Sequence, residues 1–326
     1  MILFSGANGQ LGFELQRLFK EKGVLYSAFD LDEWDICDSK KTDELIGDLR
    51  PDILINCAAY TAVDKAESED QKAFEINAAA PARLKSICLK SDIFFVHIST
   101  DFVFGDIVCN GGVEGRETSV EAPLRRPIRP WRPDDETSPM GVYGKSKYMG
   151  EQATLDENKK KNLEEYENTL IVRTSWLYSS SGSNFPKTIL RLASDEQRKN
   201  ISVVEDQIGR PTWARRLAEF LYLYLLEKKL LNRTSKEKII GGMYHFSNSG
   251  TASWYDFAKA VVEIGFEAGI LKEKKPVYPV PTSSYPTLAP RPGFSVMDIE
   301  SARSIMPDIP HWREDLRLFF HELNEK

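Results

Sequence analysis

The chain is 326 residues long, 41% hydrophobic and 28% charged, with a formal net charge of −6 at pH 7. These values describe an ordinary soluble globule with room for two domains, or for one large α/β unit with an appended lobe. The acidic balance speaks against nucleic acid or a membrane surface as a partner, and no apolar run approaches the ~20 residues that span a bilayer. The chain opens on MILFSGA with no charged and apolar leader before it, so the expected compartment is the cytoplasm. The four cysteines, Cys37, Cys57, Cys88 and Cys109, form no C-x-x-C pair and signal neither a zinc site nor redox chemistry. Cys57 and Cys88 sit among apolar neighbours and read as small core residues.

MILF is a short apolar run followed at once by SGANGQLG and then by FELQRLFKEKG, which has helical spacing. Strand, glycine turn, helix is the context a dinucleotide site requires, with Gly6, Gly9 and Gly12 giving G-x-x-G-x-x-G. Glycine lets the backbone approach a pyrophosphate, and the helix N-terminus offers free amides to it. A plain tight turn is the alternative. VLYSAFD is a second strand ending on Asp30, an acid placed to accept from a ribose 2′-OH and to repel a 2′-phosphate, which leans toward NADH. A solvated acid at a strand end is the blander reading. Asp35 and Ile36 follow, where they could flank an adenine.

Residues 40–50 read as a helix stopped by Pro51. DILINCAA has the near-continuous apolar run of a parallel strand buried on both faces, and Ala58 and Ala59 leave space at its end. QKAFEINAAAPARLKSICLK reads as one helix carrying Asn77. FFVHI is another buried strand, with Ser99, Thr100 and Asp101 emerging at its C-terminal end, the edge where ligands collect in such sheets. A helix cap or turn explains Ser-Thr-Asp equally well. Residues 106–137 fit no packed element; Arg125, Arg126, Arg129 and Arg132 alternate with prolines and Trp131. That stretch reads as a solvated, partner-facing loop or as a lid bringing arginine to ligand phosphates.

SPMGVYGKSKYMGE opens a helix with Tyr143 and Lys147 four apart, on one face. A nearby ammonium favours a phenolate, so Lys147 is expected to lower the Tyr143 pKa and make the phenol a proton shuttle for carbonyl reduction. The spacing is weak by itself: of 12 tyrosines, Tyr224 with Lys228 and Tyr255 with Lys259 share it. Tyr224 lies in an apolar helical run and is more simply a packing residue, and Tyr255 falls in the first turn of a helix. TLIVRTSWLY is a strand with Trp176 near its end, and MYHFSNSG a late strand. VYPVPTSSYPTLAPRP holds too many prolines for a central strand. The alternation of strands and helices predicts an α/β fold, a doubly wound parallel (Rossmann) sheet with a smaller C-terminal substrate-binding lobe. Residues 1–178 form the dinucleotide-binding domain, with 208–248 returning to it. Residues 179–207 and 249–326 form the lobe.

These segments, with NCAAYTAVDKAE, STDFVF, NFPKTILRLA, DQIGRPT and SGTASWYDFA, resemble the extended short-chain dehydrogenase/reductases, and within them the dTDP-4-dehydrorhamnose reductase family, over almost the whole length. The resemblance implies reduction of a 4-keto dTDP-sugar by NADPH or NADH in a homodimer, in some members with Mg²⁺ at the subunit contact; it places no metal ligands. It implies Gly9, Gln10 and Leu11 against the cofactor, Asp30, Asp35 and Ile36 near its adenosine, and Ala59, Tyr60 and Thr61 along its ribose and nicotinamide. Thr100, Tyr143 and Lys147 are the implied catalytic set, with Lys147 on the nicotinamide ribose. Thr100, Asp101, Tyr143 and Trp176 are the implied sugar-nucleotide contacts. The 106–137 loop is longer and richer in arginine than the family's. A regulatory β-subunit of methionine adenosyltransferase is similar to the same family, which leaves a non-catalytic dinucleotide-binding regulator as one alternative. A nucleotide-sugar epimerase or dehydratase is another.

Overall fold

In the computed structural model, residues 1–105, 129–155, 166–232 and 239–325 are described. Four short runs become parallel strands: β1 (Ile2–Ser5), β3 (Ile53–Asn56) and β4 (Phe94–Thr100), which are buried, and β2 (Tyr26–Phe29), a half-buried edge strand. A fifth, β5 (Thr169–Thr174), and the strand Gly242–His245 extend the sheet on the far side of β4. The spatial order is Gly242–His245, β5, β4, β3, β1, β2, with all neighbours parallel. From β1 the chain steps outward one way to β2 and the other way to β3. Strand order reverses there, and a crevice opens at the carboxyl ends, where ligands bind in such sheets.

One face of the sheet is covered by the helices Gln10–Lys22 and Ala214–Glu227, which bury Leu15, Leu18, Phe19, Leu217, Leu221 and Tyr224 against Phe4, Phe94 and Val172. Ile299, Ala302 and Ile309, which sequence assigns to the lobe, return to this same core. The opposite face holds Leu54, Leu84, Cys88 and Phe95 with Trp34. A separate core gathers Tyr178, Phe257, Trp312, Phe319 and Phe320 around the helices Phe185–Ser194, Trp254–Glu267 and Trp312–Asn324. Among the described residues the proline-rich Val277–Val280 pairs with Ile201–Val204 alone, in a two-stranded ribbon where a missing N–H is tolerated.

Two expectations change. The helix through Asn77 is broken: Asp70–Phe74 and Ala80–Lys90 flank a π-turn at Glu75–Ala79. Pro81 has no N–H for the Asn77 carbonyl and its ring clashes with it, so the ladder widens there. The 106–137 stretch also contains a packed end. Trp131 is 4% exposed, stacks on Phe104 at 4.7 Å, and donates its indole N–H to the Phe294 carbonyl at 3.1 Å. Arg129 is spent on Asp135, with both contacts 2.7 Å, and Arg132 faces Asp298 at 4.0 Å. Residues 106–128, with Cys109, Arg125 and Arg126, lie outside the described residues.

Candidate active site

A cleft of ≈ 740 Å³ runs along the carboxyl ends of the strands. One end is the glycine turn. Gly6 has φ +69°, and a Cβ on Gly12 would stand 2.1 Å from the Gly6 carbonyl oxygen. The turn therefore closes on itself only with glycine at both places, and its backbone lines the cleft with Gly9 and Leu11. Gln10 is fixed between the Leu177 carbonyl, 3.3 Å away, and Asn184, 3.0 Å away. The Asp30 carboxylate accepts from the Asn8 N–H at 2.6 Å and the Leu31 N–H at 2.8 Å, which aims it along the cleft wall with Asp35 and Ile36 beyond it. Ala59 and Thr61 line the middle. The Tyr60 side chain is not in the wall. Its backbone exchanges hydrogen bonds with the Asn77 side chain at 2.8 and 3.1 Å, and its ring faces Lys72.

At the other end stand Thr100, Asp101, Tyr143, Lys147 and Trp176. Tyr143 and Lys147 come from the helix Val142–Thr154, and Thr100 and Asp101 from the end of β4. Tyr143 packs edge-on against Phe102 at 5.4 Å and hydrogen-bonds Thr100. Thr100 Oγ1 donates to Asp101 Oδ1 at 3.1 Å and accepts from the Phe102 N–H at 3.2 Å. Asp101 Oδ2 has no well-formed partner among the described residues. Trp176 is held at φ +47° and stacks on Trp254 at 3.6 Å, an uncommon backbone for a bulky residue.

The expected coupling between Lys147 and Tyr143 is not what the structure shows. Lys147 is 2% exposed and donates to the Ile98 carbonyl at 2.6 Å. Burial pushes the Tyr143 phenol up to about 12, against the lowering effect of Thr100. Burial likewise brings the Lys147 ammonium down to about 8. The phenol is thus fully protonated at neutral pH, the form a proton donor needs. The lysine is committed to the strand and not to the phenol.

The whole chain matches a family model. Residues 1–325 fit the RmlD substrate binding domain. The chain belongs to the RmlD family. It is 37% identical to the dTDP-4-dehydrorhamnose reductase of Salmonella typhimurium, over 99% of this chain and 97% of that protein. It is 36% identical to the spore coat polysaccharide biosynthesis protein SpsK of Bacillus subtilis, over 98% and 97%. Its fold superposes on the Bacillus anthracis dTDP-4-dehydrorhamnose reductase, solved in complex with NADP, with TM-score 0.77, 33% identity and 98% coverage of both chains.

Three features of this RmlD-family site escaped sequence reasoning. Trp254 completes the aromatic wall, although nothing in its spacing marks it. Arg291 lines the cleft and forks onto Asp64 at 3.1 and 2.8 Å, a pair 227 residues apart. Glu67 accepts the Val142 N–H at 2.9 Å and so caps the helix of Tyr143, whose own N-cap, Gly141, has no side chain to do it. Among the described residues no group of three His, Cys, Asp or Glu side chains is placed to hold a metal ion, and no helix is long and apolar enough to cross a membrane.

Asp101 gives this site a stability signature. Burial raises its carboxyl to about 6 from an ordinary 3.8. A raised carboxyl favours folding fully below its unfolded value, and that contribution is lost as pH rises through about 6. At pH 7 the buried charge therefore opposes folding, by at most about 3 kcal/mol. Asp101→Asn is expected to raise the melting temperature at pH 7 and to leave it unchanged at pH 4, as read by thermal unfolding. Equal shifts at both pH values would mean the carboxylate is not the source.

Proposed function

We propose that the protein reduces dTDP-4-dehydro-β-L-rhamnose to dTDP-L-rhamnose, with NADH or NADPH as reductant and Tyr143 as proton donor, acting as a homodimer in the cytoplasm. The observation that carries this reading is the meeting of Thr100, Tyr143 and Lys147 in the same cleft as the glycine turn. The relatives' reductase activity and the NADP complex of one of them support it. When bound, the reduced nicotinamide supplies the hydride. Tyr143 presents its hydroxyl to the carbonyl oxygen, and Thr100 joins it by turning its proton from Asp101 to that oxygen, so both donate to charge that grows during reduction. Tyr143 then gives its proton to the alkoxide. Lys147 holds the nicotinamide ribose. Asp101, whose Oδ2 has no well-formed partner among the described residues, accepts from a sugar hydroxyl, and Trp176 offers a flat apolar face to the ring.

Asp30 sets the cofactor preference. Its carboxylate is fixed by two backbone N–H groups, and among the described residues the cations that line the cleft are Lys147 and Arg291. An acid there accepts from a ribose 2′-OH and repels a 2′-phosphate, so NADH is the expected better substrate. The test is oxidation of both reduced cofactors against a panel of 4-keto sugar nucleotides. Turnover of the rhamnose precursor, with a lower KM for NADH, is the expected result. No oxidation with any sugar would favour the regulatory reading. A dinucleotide that survives purification tightly bound would favour an epimerase or dehydratase.

A further inference from the structure

The helix of Tyr143 grips β4 at two consecutive residues. Lys147 donates to the Ile98 carbonyl at 2.6 Å, and Glu151, one turn on, accepts from the Ser99 hydroxyl at 2.5 Å. Thr100 is the next residue. Glu151 is fully buried, and a buried carboxylate needs a partner. Arg173 of β5 supplies it, donating Nε at 2.9 Å and Nη2 at 2.7 Å. The guanidinium is itself held by the Pro133 carbonyl at 3.2 Å, by His245 Nε2 at 3.3 Å, and by the ring of Phe104 at 5.0 Å. Three elements thus converge on one carboxylate directly behind the reacting groups, and no catalytic step described above uses it.

Building on the proposed reductase reading, we propose that Glu151 is a positioning residue: through Ser99 it sets where Thr100 stands against Tyr143, and it places a buried carboxylate one turn from the Lys147 ammonium on the same helix. A carboxylate and an ammonium on one face of a helix, docked to adjacent residues of a strand, fix both distance and rotation, and a small misplacement in such a constellation is costly in rate. The groups that act on Lys147 are Glu151 on its own helix, Cys57 after β3 and His97 on β4, with Tyr143 one turn before it, Arg173 behind Glu151 and Asp101 beyond Tyr143. Of these, Cys57 is held neutral by burial, its thiol pushed up to about 12, and His97 is held neutral well below its ordinary value. Glu151 is therefore the counter-charge that offsets burial of the ammonium.

The test compares wild type, Glu151→Gln and Ser99→Ala by kcat, KM and the pH profile of kcat/KM with reduced cofactor and keto sugar nucleotide. Wild type is expected to lose activity as pH rises through about 8, where Lys147 discharges. Glu151→Gln should move that limb down by about one pH unit. Ser99→Ala keeps the ion pair, so its limb should stay in place while kcat falls roughly tenfold or more and the cofactor KM is unchanged. An inactive wild type would refute the reductase reading itself. With wild type active, a Glu151→Gln enzyme that weakens uniformly at every pH, or a Ser99→Ala enzyme with wild-type kcat, overturns the positioning role. If Glu151→Gln fails to fold, Ser99→Ala decides alone.

Discussion

Tyr143→Phe is expected to lower kcat by about 10²- to 10⁴-fold while leaving KM within a few-fold of wild type. The phenol acts on charge that exists only in the transition state, and a lost interaction of that kind appears in kcat. The protein should keep its stability, because the hydroxyl's partner is Thr100 and the ring's packing on Phe102 survives the change. Burial sharpens the expectation: with the phenol at about 12, no alkaline limb below that value belongs to it. Two other tyrosines share the same spacing to a lysine and serve as controls. Tyr224 is fully buried among Phe94, Phe220 and Tyr244, and its hydroxyl has no partner among the described residues. Tyr224→Phe should be neutral or slightly stabilising, since it removes an unsatisfied buried group, with kcat unchanged. Steady-state kinetics of Tyr143→Phe, Tyr224→Phe and Tyr255→Phe check the set. A Tyr143→Phe enzyme within about threefold of wild type would remove the phenol from the reaction.

The contrast between Tyr143 and Tyr224 shows what one dimension of information carries. Strand, glycine turn and helix were legible because each is local: MILF has the burial pattern of a sheet strand, and Gly6 and Gly12 meet within seven residues. Thr100, Asp101 and Trp176 were legible as the ends of apolar runs, and Tyr143 with Lys147 as a helix face. What stayed hidden is built across long separations. Arg291 reaches Asp64 over 227 residues, and Trp131 reaches Phe294 over 163, so neither residue's role is written in its neighbours. Glu151 is singled out by nothing in its neighbours, yet it is buried and paired with Arg173 of β5, 22 residues on. The direction of the Tyr143 shift was misjudged for a related reason. Sequence spacing gives proximity on a helix, while the sheet decides that Lys147 donates to Ile98 instead.

The glycine turn makes the second large prediction, and there the effect depends on position within one motif. At Gly12 a Cβ would meet the Gly6 carbonyl oxygen at 2.1 Å, the Ala7 carbonyl oxygen at 2.8 Å and the Ala7 Cα at 2.9 Å. All three are backbone atoms of the turn itself and cannot rotate aside. At Gly9 the single nearby atom is the Gly6 carbonyl oxygen at 3.2 Å, a crowding that a few tenths of an ångström relieve. Overpacking of the first kind costs about 1–3 kcal/mol or more. If that cost falls on the cofactor-competent shape of the loop, Gly12→Ala should bind NADH and NADPH roughly 5- to 150-fold more weakly. Gly9→Ala leaves the shape of the turn intact, so any loss of affinity there measures the methyl against the pyrophosphate itself. Titration of cofactor binding by fluorescence on the purified variants measures both, with thermal unfolding as the control for loss of fold. Both methyls approach the Gly6 carbonyl oxygen, but at 2.1 Å in Gly12→Ala and at 3.2 Å in Gly9→Ala. Wild-type affinity in both variants would mean that the cofactor does not lie on this turn, and the reductase reading would lose the end of the cleft on which it depends.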